Sequence, residues 1–230
     1  MAWLVANFGH VLSLAGLHLY QSVIPLLISV LIAIPLAQLA RMNKTLRGFL
    51  LFAGSVLYTI PSLALFVILP VILGTRILDM ANVIVALVIY AVALLLRSTL
   101  DALNSVDETI RQAAVAMGYK PLMRFLSVDL PLSVPVLFAG LRVISVSNIS
   151  LVSVGALLGI GSLGSLFTDG LKRDFVTEIV IGIIGTLLLA LLMDAVLVLL
   201  QRLLTPWLRT AGPRANGPRA NGPRAKAVAL

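Results

Sequence analysis

Five long apolar runs, at 22–40, 49–73, 81–96, 134–158 and 177–200, leave this 230-residue chain one class of fold. A helix needs about 20 apolar residues to cross the hydrocarbon core of a bilayer, and each run approaches or exceeds that. A backbone in lipid must satisfy its own hydrogen bonds, so runs of this length predict an all-α, multi-pass membrane protein with five transmembrane helices. Composition agrees. Charged residues are 11% of the chain, against roughly 25% in a soluble domain, and mean hydropathy is +1.10.

Prolines punctuate the first two runs, Pro25 and Pro35 in one and Pro61 and Pro70 in the other. Each frees backbone carbonyls that neighbours must satisfy, which predicts kinked, packed helices rather than lone anchors. Residues 1–18 are only moderately apolar, and the first basic residue is Arg41. Without a basic n-region the stretch does not read as a signal peptide, and a short peripheral helix is expected there. The membrane-spanning body is then expected over 19–205. The tail 206–230 repeats Gly-Pro-Arg-Ala-Asn at 212–216 and 217–221, and nearly again at 222–226. With nothing apolar to bury, it is expected to be disordered.

Charge sets the orientation. Arg41, Lys44 and Arg47 follow the first run; Arg97, Arg111, Lys120 and Arg124 lie in the loop 97–133; six more basic residues follow Leu200. The opposite side carries Arg76, Lys172 and Arg173. The positive-inside rule then predicts the N-terminus outside and the C-terminus inside. The same distribution argues against nucleic acid, because the net charge of +8 is spread over loops and never forms a patch with aromatics. The absence of cysteine and the presence of two histidines, His10 and His18, exclude thiol ligation and disfavour any metal site. No phosphate-binding G-x-x-x-x-G-K-[ST] occurs. Gly159–Gly164 fits G-x-G-x-x-G, but it ends a span where a nucleotide site needs a strand, so a flexible external turn is expected. The chain itself is expected to bind no cofactor and to catalyse no covalent chemistry.

The loop 97–133 carries the functional argument. Ser105 and Glu108 have capping-box spacing, so a helix should start near Ser105. Asp107 and Glu108 would favour its dipole, and Asp107 stands four residues before Arg111. Ala114 and Gly118 leave one face without bulk, where another surface can approach. Gly118 suits the residue just past the helix end, and Pro121 suits the first turn of a second short helix. Asp129-Leu130-Pro131 should stop that helix before the fourth span. Two short helices would therefore form a knob.

The motif in this loop resembles the cytoplasmic signature of bacterial ABC importer permeases: Glu-Ala-Ala, three residues, Gly, nine residues, Ile, any residue, Leu-Pro. Here it reads Gln112-Ala113-Ala114, Gly118, Val128, Asp129, Leu130-Pro131, with every spacing kept. Gln112 replaces a negative charge, and Val128 replaces Ile. Residues 18–22 (His-Leu-Tyr-Gln-Ser), 59–65 (Thr-Ile-Pro-Ser-Leu-Ala-Leu) and 137–142 (Leu-Phe-Ala-Gly-Leu-Arg) are similar to permeases for quaternary ammonium osmoprotectants. The resemblance covers about 18–205. It implies a multi-pass bacterial inner-membrane subunit that works by alternating access. Its partners would be two cytoplasmic ATPase subunits that hold ATP and Mg, a second permease copy or paralogue, and an extracytoplasmic substrate-binding protein. It also implies that Gln112, Ala113, Ala114 and Gly118, with Leu130 and Pro131, couple the chain to its ATPase.

Two further pairs stand out. Arg142 and Asp194 are the charges deepest in apolar runs, each about 10 Å inside the same boundary at 1.5 Å per residue. A pairing across the fourth and fifth spans is expected, because intramembrane charges are expensive. Ser145 and Asn148 share a face of an unusually polar fourth span. They could line a substrate path or bond neighbouring helices. The expected function is import of glycine betaine, choline, carnitine or proline betaine. The alternatives are amino-acid or methionine import, or an uncoupled pore or scaffold.

Overall fold

A computed structural model of the protein describes residues 2–207. The expected disorder of the repeat tail falls on residues outside that range. Every regular element among the described residues is helical. A short α1 (Ala2–Ala6) precedes α2 (Phe8–Met42), α3 (Lys44–Thr59), α4 (Ser62–Leu73) and α5 (Met80–Asn104). Next come α6 (Glu108–Ala116), α7 (Pro121–Arg124), a π-turn (Phe125–Asp129) and α8 (Leu130–Gly155), then a 3₁₀ turn (Ala156–Leu158), α9 (Ser165–Lys172) and α10 (Val176–Leu204).

The centre is α2, α5 and α8. Leu26, Ala33, Ala91, Leu95, Leu137, Leu141 and Ile144 form one buried cluster there, joined by Leu197 of α10. Small residues set how closely these helices approach. Ala33, Ala37 and Ala40 of α2 are fully enclosed, and an ideal Cβ on Gly140 of α8 would lie 1.8 Å from Ser98 Oγ of α5. Only glycine admits that crossing. The outward faces of α3, α4 and α10 remain apolar and exposed, Leu187, Leu188, Leu191 and Leu192 among them. Such a surface belongs in lipid or against another apolar protein.

Among the described residues, four helices are long and apolar enough to cross a membrane. The run 49–73 is a broken pair, α3 and α4, bent by 103°, so a count of five needs this pair to act as one crossing. The cause is local. Pro61 pushes Ile60 out of the helical region, to φ −65° and ψ 127°. The carbonyl freed at Ile60 accepts a hydrogen bond from Tyr90 Oη at 2.6 Å. Pro25, Pro35 and Pro135, by contrast, sit inside continuous helices.

Four expectations need correction. No helix boundary falls at residue 18: α1 ends at Ala6, and residues 8–18 belong to α2. Gln21 and His18 explain why. Both are fully buried, His18 Nε2 donates to Ile149 O at 2.9 Å, and Gln21 Nε2 donates to Gly161 O at 2.8 Å. Second, the turn around 159–164 is packed, with Ile160, Ser162 and Leu163 buried. Third, 97–104 is helix, not loop, because α5 buries Leu100 and Leu103 beyond the apolar run. Fourth, Leu130-Pro131 stops nothing. Pro131 occupies the first turn of α8, where a missing N–H costs no helical hydrogen bond, and the chain runs helically from Pro121 to Leu158.

Candidate functional site

Where α5 ends, Ser105 turns its hydroxyl back onto Ala102 O, so it closes one helix instead of opening the next. Asp107 is the cap of α6. Its carboxylate accepts from the Thr109 N–H at 2.8 Å and from the Thr109 hydroxyl at 2.8 Å. Those two bonds hold its pKa below the usual carboxylate value. The expected capping box does not form: the cap lies two residues later, its N3 residue is Ile110, and Asp107 spends its charge on the Thr109 cap rather than on Arg111. The other end of α6 is as expected from Gly118. At φ +84° its N–H reaches Val115 O at 2.9 Å, and the Tyr119 N–H reaches Ala114 O at 3.1 Å. This pair of bonds is the Schellman closure.

Ala114 is the one buried residue of α6, so its small side faces the body of the chain. Gln112, Ala113, Ala116 and Gly118 are exposed. Around them lie exposed Val115, Met117, Leu122, Met123 and Leu126. The knob thus offers small residues ringed by apolar side chains. Glu108, Arg111, Gln112, Val115, Ala116 and Arg124 line a cleft of about 290 Å³ beside it. Leu130 and Pro131 are half-buried in the first turn of α8. They support the knob and do not face outward with it.

The residue that organises this end is Asp129, a position the sequence reading passed over as variable. Its carboxylate is fully removed from solvent. Oδ1 accepts from Arg111 Nε of α6 at 3.0 Å. Oδ2 lies 3.5 Å from Arg41 Nη1 in the last turn of α2 and 3.6 Å from Arg124 Nε of α7. Arg111 also donates to the Leu103 carbonyl in the last turn of α5 and to Glu108 Oε2 at 3.1 Å. One usable signal existed: Asp129 is the only acid in the stretch 109–133, which also holds Arg111 and Arg124. The third arginine, 88 positions away at Arg41, carried none.

Within the spans, the structure brings Arg142 and Asp194 together in a bidentate pair, Nε to Oδ1 at 2.5 Å and Nη2 to Oδ2 at 2.8 Å. The fork geometry ties α8 to α10. Ser145 and Asn148 are both buried. Asn148 Nδ2 points at Ser22 O of α2, 3.5 Å away. In this conformation Asn148 serves the α2–α8 contact. Among the described residues no cluster of His, Cys, Asp or Glu is suited to a metal ion.

Residues 27–210 match the family model described as "Binding-protein-dependent transport system inner membrane component". The osmoprotectant import permease protein OsmW of Salmonella typhimurium is 31% identical over 207 residues, 89% of this chain and 96% of that protein. The glycine betaine/carnitine/choline transport system permease protein OpuCD of Bacillus subtilis is 31% identical over 201 residues, 87% of this chain and 86% of that one. The fold is similar to a chain of the inward-facing MetNI methionine ABC transporter, with a TM-score of 0.72 and 20% identity over 82% of this chain and 93% of that one. The chain belongs to the family of binding-protein-dependent transport system inner membrane components.

Proposed function

We propose that this chain is the permease subunit of an ATP-driven importer for quaternary ammonium osmoprotectants such as glycine betaine, choline, carnitine or proline betaine. It spans the bacterial inner membrane five times, with α3 and α4 acting as one broken crossing, the N-terminus outside and the C-terminus inside. It catalyses no covalent step. Two cytoplasmic ATPase subunits hold ATP and Mg, a binding protein delivers substrate from outside, and a second permease copy or paralogue completes the passage. The observation that carries this reading is the exposed knob at Gln112, Ala113, Ala116 and Gly118, placed on a rigid turn and ringed by apolar side chains. A surface of that kind suits insertion into a partner's cleft. The kinship with osmoprotectant permeases supports the substrate class.

The test is reconstitution with the ATPase and binding protein encoded beside it. Labelled glycine betaine, choline, carnitine and methionine are offered in turn. Uptake of a quaternary ammonium compound, dependent on ATP and lost with Gly118→Trp together with capture of the ATPase, is the expected result. Uptake of methionine alone would overturn the substrate assignment. ATP-independent flux that survives Gly118→Trp would overturn the coupling.

A further inference from the structure

We propose that Asp129 is the positioning residue that locks α6 to the inner ends of α2, α5 and α8, so that a push on the knob moves all three together. The proposal rests on the coupling reading of α6 given above. A carboxylate with no solvent contact must keep its charged partners, because an unpaired buried charge is far costlier than an exposed one. Those partners stand on separate elements: Arg41 on α2, Arg111 on α6 and Arg124 on α7. Arg111 extends the lock to α5 through the Leu103 carbonyl. Asp129 itself lies where the π-turn passes into α8, the Leu130 N–H closing back onto Phe125 O. Phe125 and Asp129, four residues apart, both face inward, and π-turns inside helices tend to mark functional positions.

The stoichiometry separates this role from simple stabilisation. Three guanidiniums share one carboxylate, and only the Arg111 contact is a hydrogen bond; Oδ2 and Arg124 Nε have none among the described residues. For stability alone, a one-to-one pair or an apolar packing would serve better than mutually repelling arginines around one acid. What the arrangement provides is a junction in which no element can swing without stranding charge. It is a direct physical link between the knob and the ends of α2, α5 and α8.

Asp129→Asn keeps the shape and removes the charge. Arg111→Lys keeps the charge and removes the fork that reaches Asp129 and Leu103 together. Each is assembled with the partner ATPase and binding protein in lipid nanodiscs. Three quantities are read: ATPase captured, thermal midpoint, and the rise in hydrolysis elicited by the binding protein loaded with glycine betaine, per captured complex. Both variants are expected to capture the ATPase while the elicited rise falls about fivefold or more, the low end of typical coupling. An unchanged rise per captured complex, whatever the yield or midpoint, overturns the proposal. Should Asp129→Asn fail to assemble, Arg111→Lys decides on the same readout. Failure of the underlying reading looks different: there Gly118→Trp would leave both capture and the elicited rise intact.

Discussion

Gly140→Ala sets two known effects against each other. In an isolated helix the change should stabilise, since alanine is better than glycine by about 1 kcal/mol. In this protein the new methyl would sit 1.8 Å from Ser98 Oγ and 2.8 Å from Ser98 Cβ. The hydroxyl can rotate to another rotamer. The Cβ cannot, so α5 and α8 would have to separate by about 0.7 Å to restore an ordinary carbon–carbon distance of about 3.5 Å. That shift loosens the cluster of Ala91, Leu95, Leu137 and Leu141 on both helices. Overpacking of this kind costs about 1–3 kcal/mol, so the net change is a destabilisation of up to about 2 kcal/mol. Ser98→Gly removes both clashing atoms. Combined with Gly140→Ala it should recover most of the loss, a non-additivity expected only of residues in contact. Thermal unfolding in one detergent, followed by size-exclusion fluorescence, reads the four proteins of the cycle. Equal or greater stability of Gly140→Ala, or simple additivity in the double variant, would refute the close-crossing argument.

Three other predictions bear on the site and its supports. At Gly118, φ +84° costs an L residue about 1–2 kcal/mol; Gly118→Asn, which tolerates that region, should retain ATPase capture while Gly118→Val loses it, and equal capture by both would count against the turn's role. Reversal of Arg142 or Asp194 singly should lower the yield of assembled protein, and the double reversal should restore it; no restoration would mean that the pair at 2.5 Å does not join α8 to α10 in the membrane. Asp107 has its pKa lowered in the folded protein, so its cap contributes fully above the unfolded value of 3.8 and is lost as pH falls through the depressed one. Amide exchange at Thr109 should therefore quicken, relative to an Asp107→Asn control, only below that window; the same pH dependence in both proteins would disprove it.

How much of this was legible in the sequence depends on the range of the interaction. Runs of 16 to 25 apolar residues declare membrane helices wherever they occur, because lipid imposes its demand on each segment separately. The break at Ile60-Pro61 was likewise foreseeable as a kink. Its angle of 103° and its Tyr90 partner were not, since both depend on what α5 presents 30 residues later. Ser105 was expected as the cap and Asp107 within the first turn, whereas Asp107 is the cap. Burial of Leu100 and Leu103 carries α5 on to Asn104 and leaves Ser105 at its end.

The sequence by itself determined the class of protein, the apolar segments, the spacing from Gln112 to Pro131, and the place of Arg142 and Asp194 within apolar runs. These are local quantities: periodicity, hydropathy and residue counts along one strand of text. Tertiary structure alone decided that His18 and Gln21 belong inside the bundle, that Ala114 faces inward while Gln112 faces out, and that Asp129 gathers Arg41, Arg111 and Arg124. Each depends on which polar groups meet once the helices pack. A buried charge is tolerated only where distant parts of the chain converge on it.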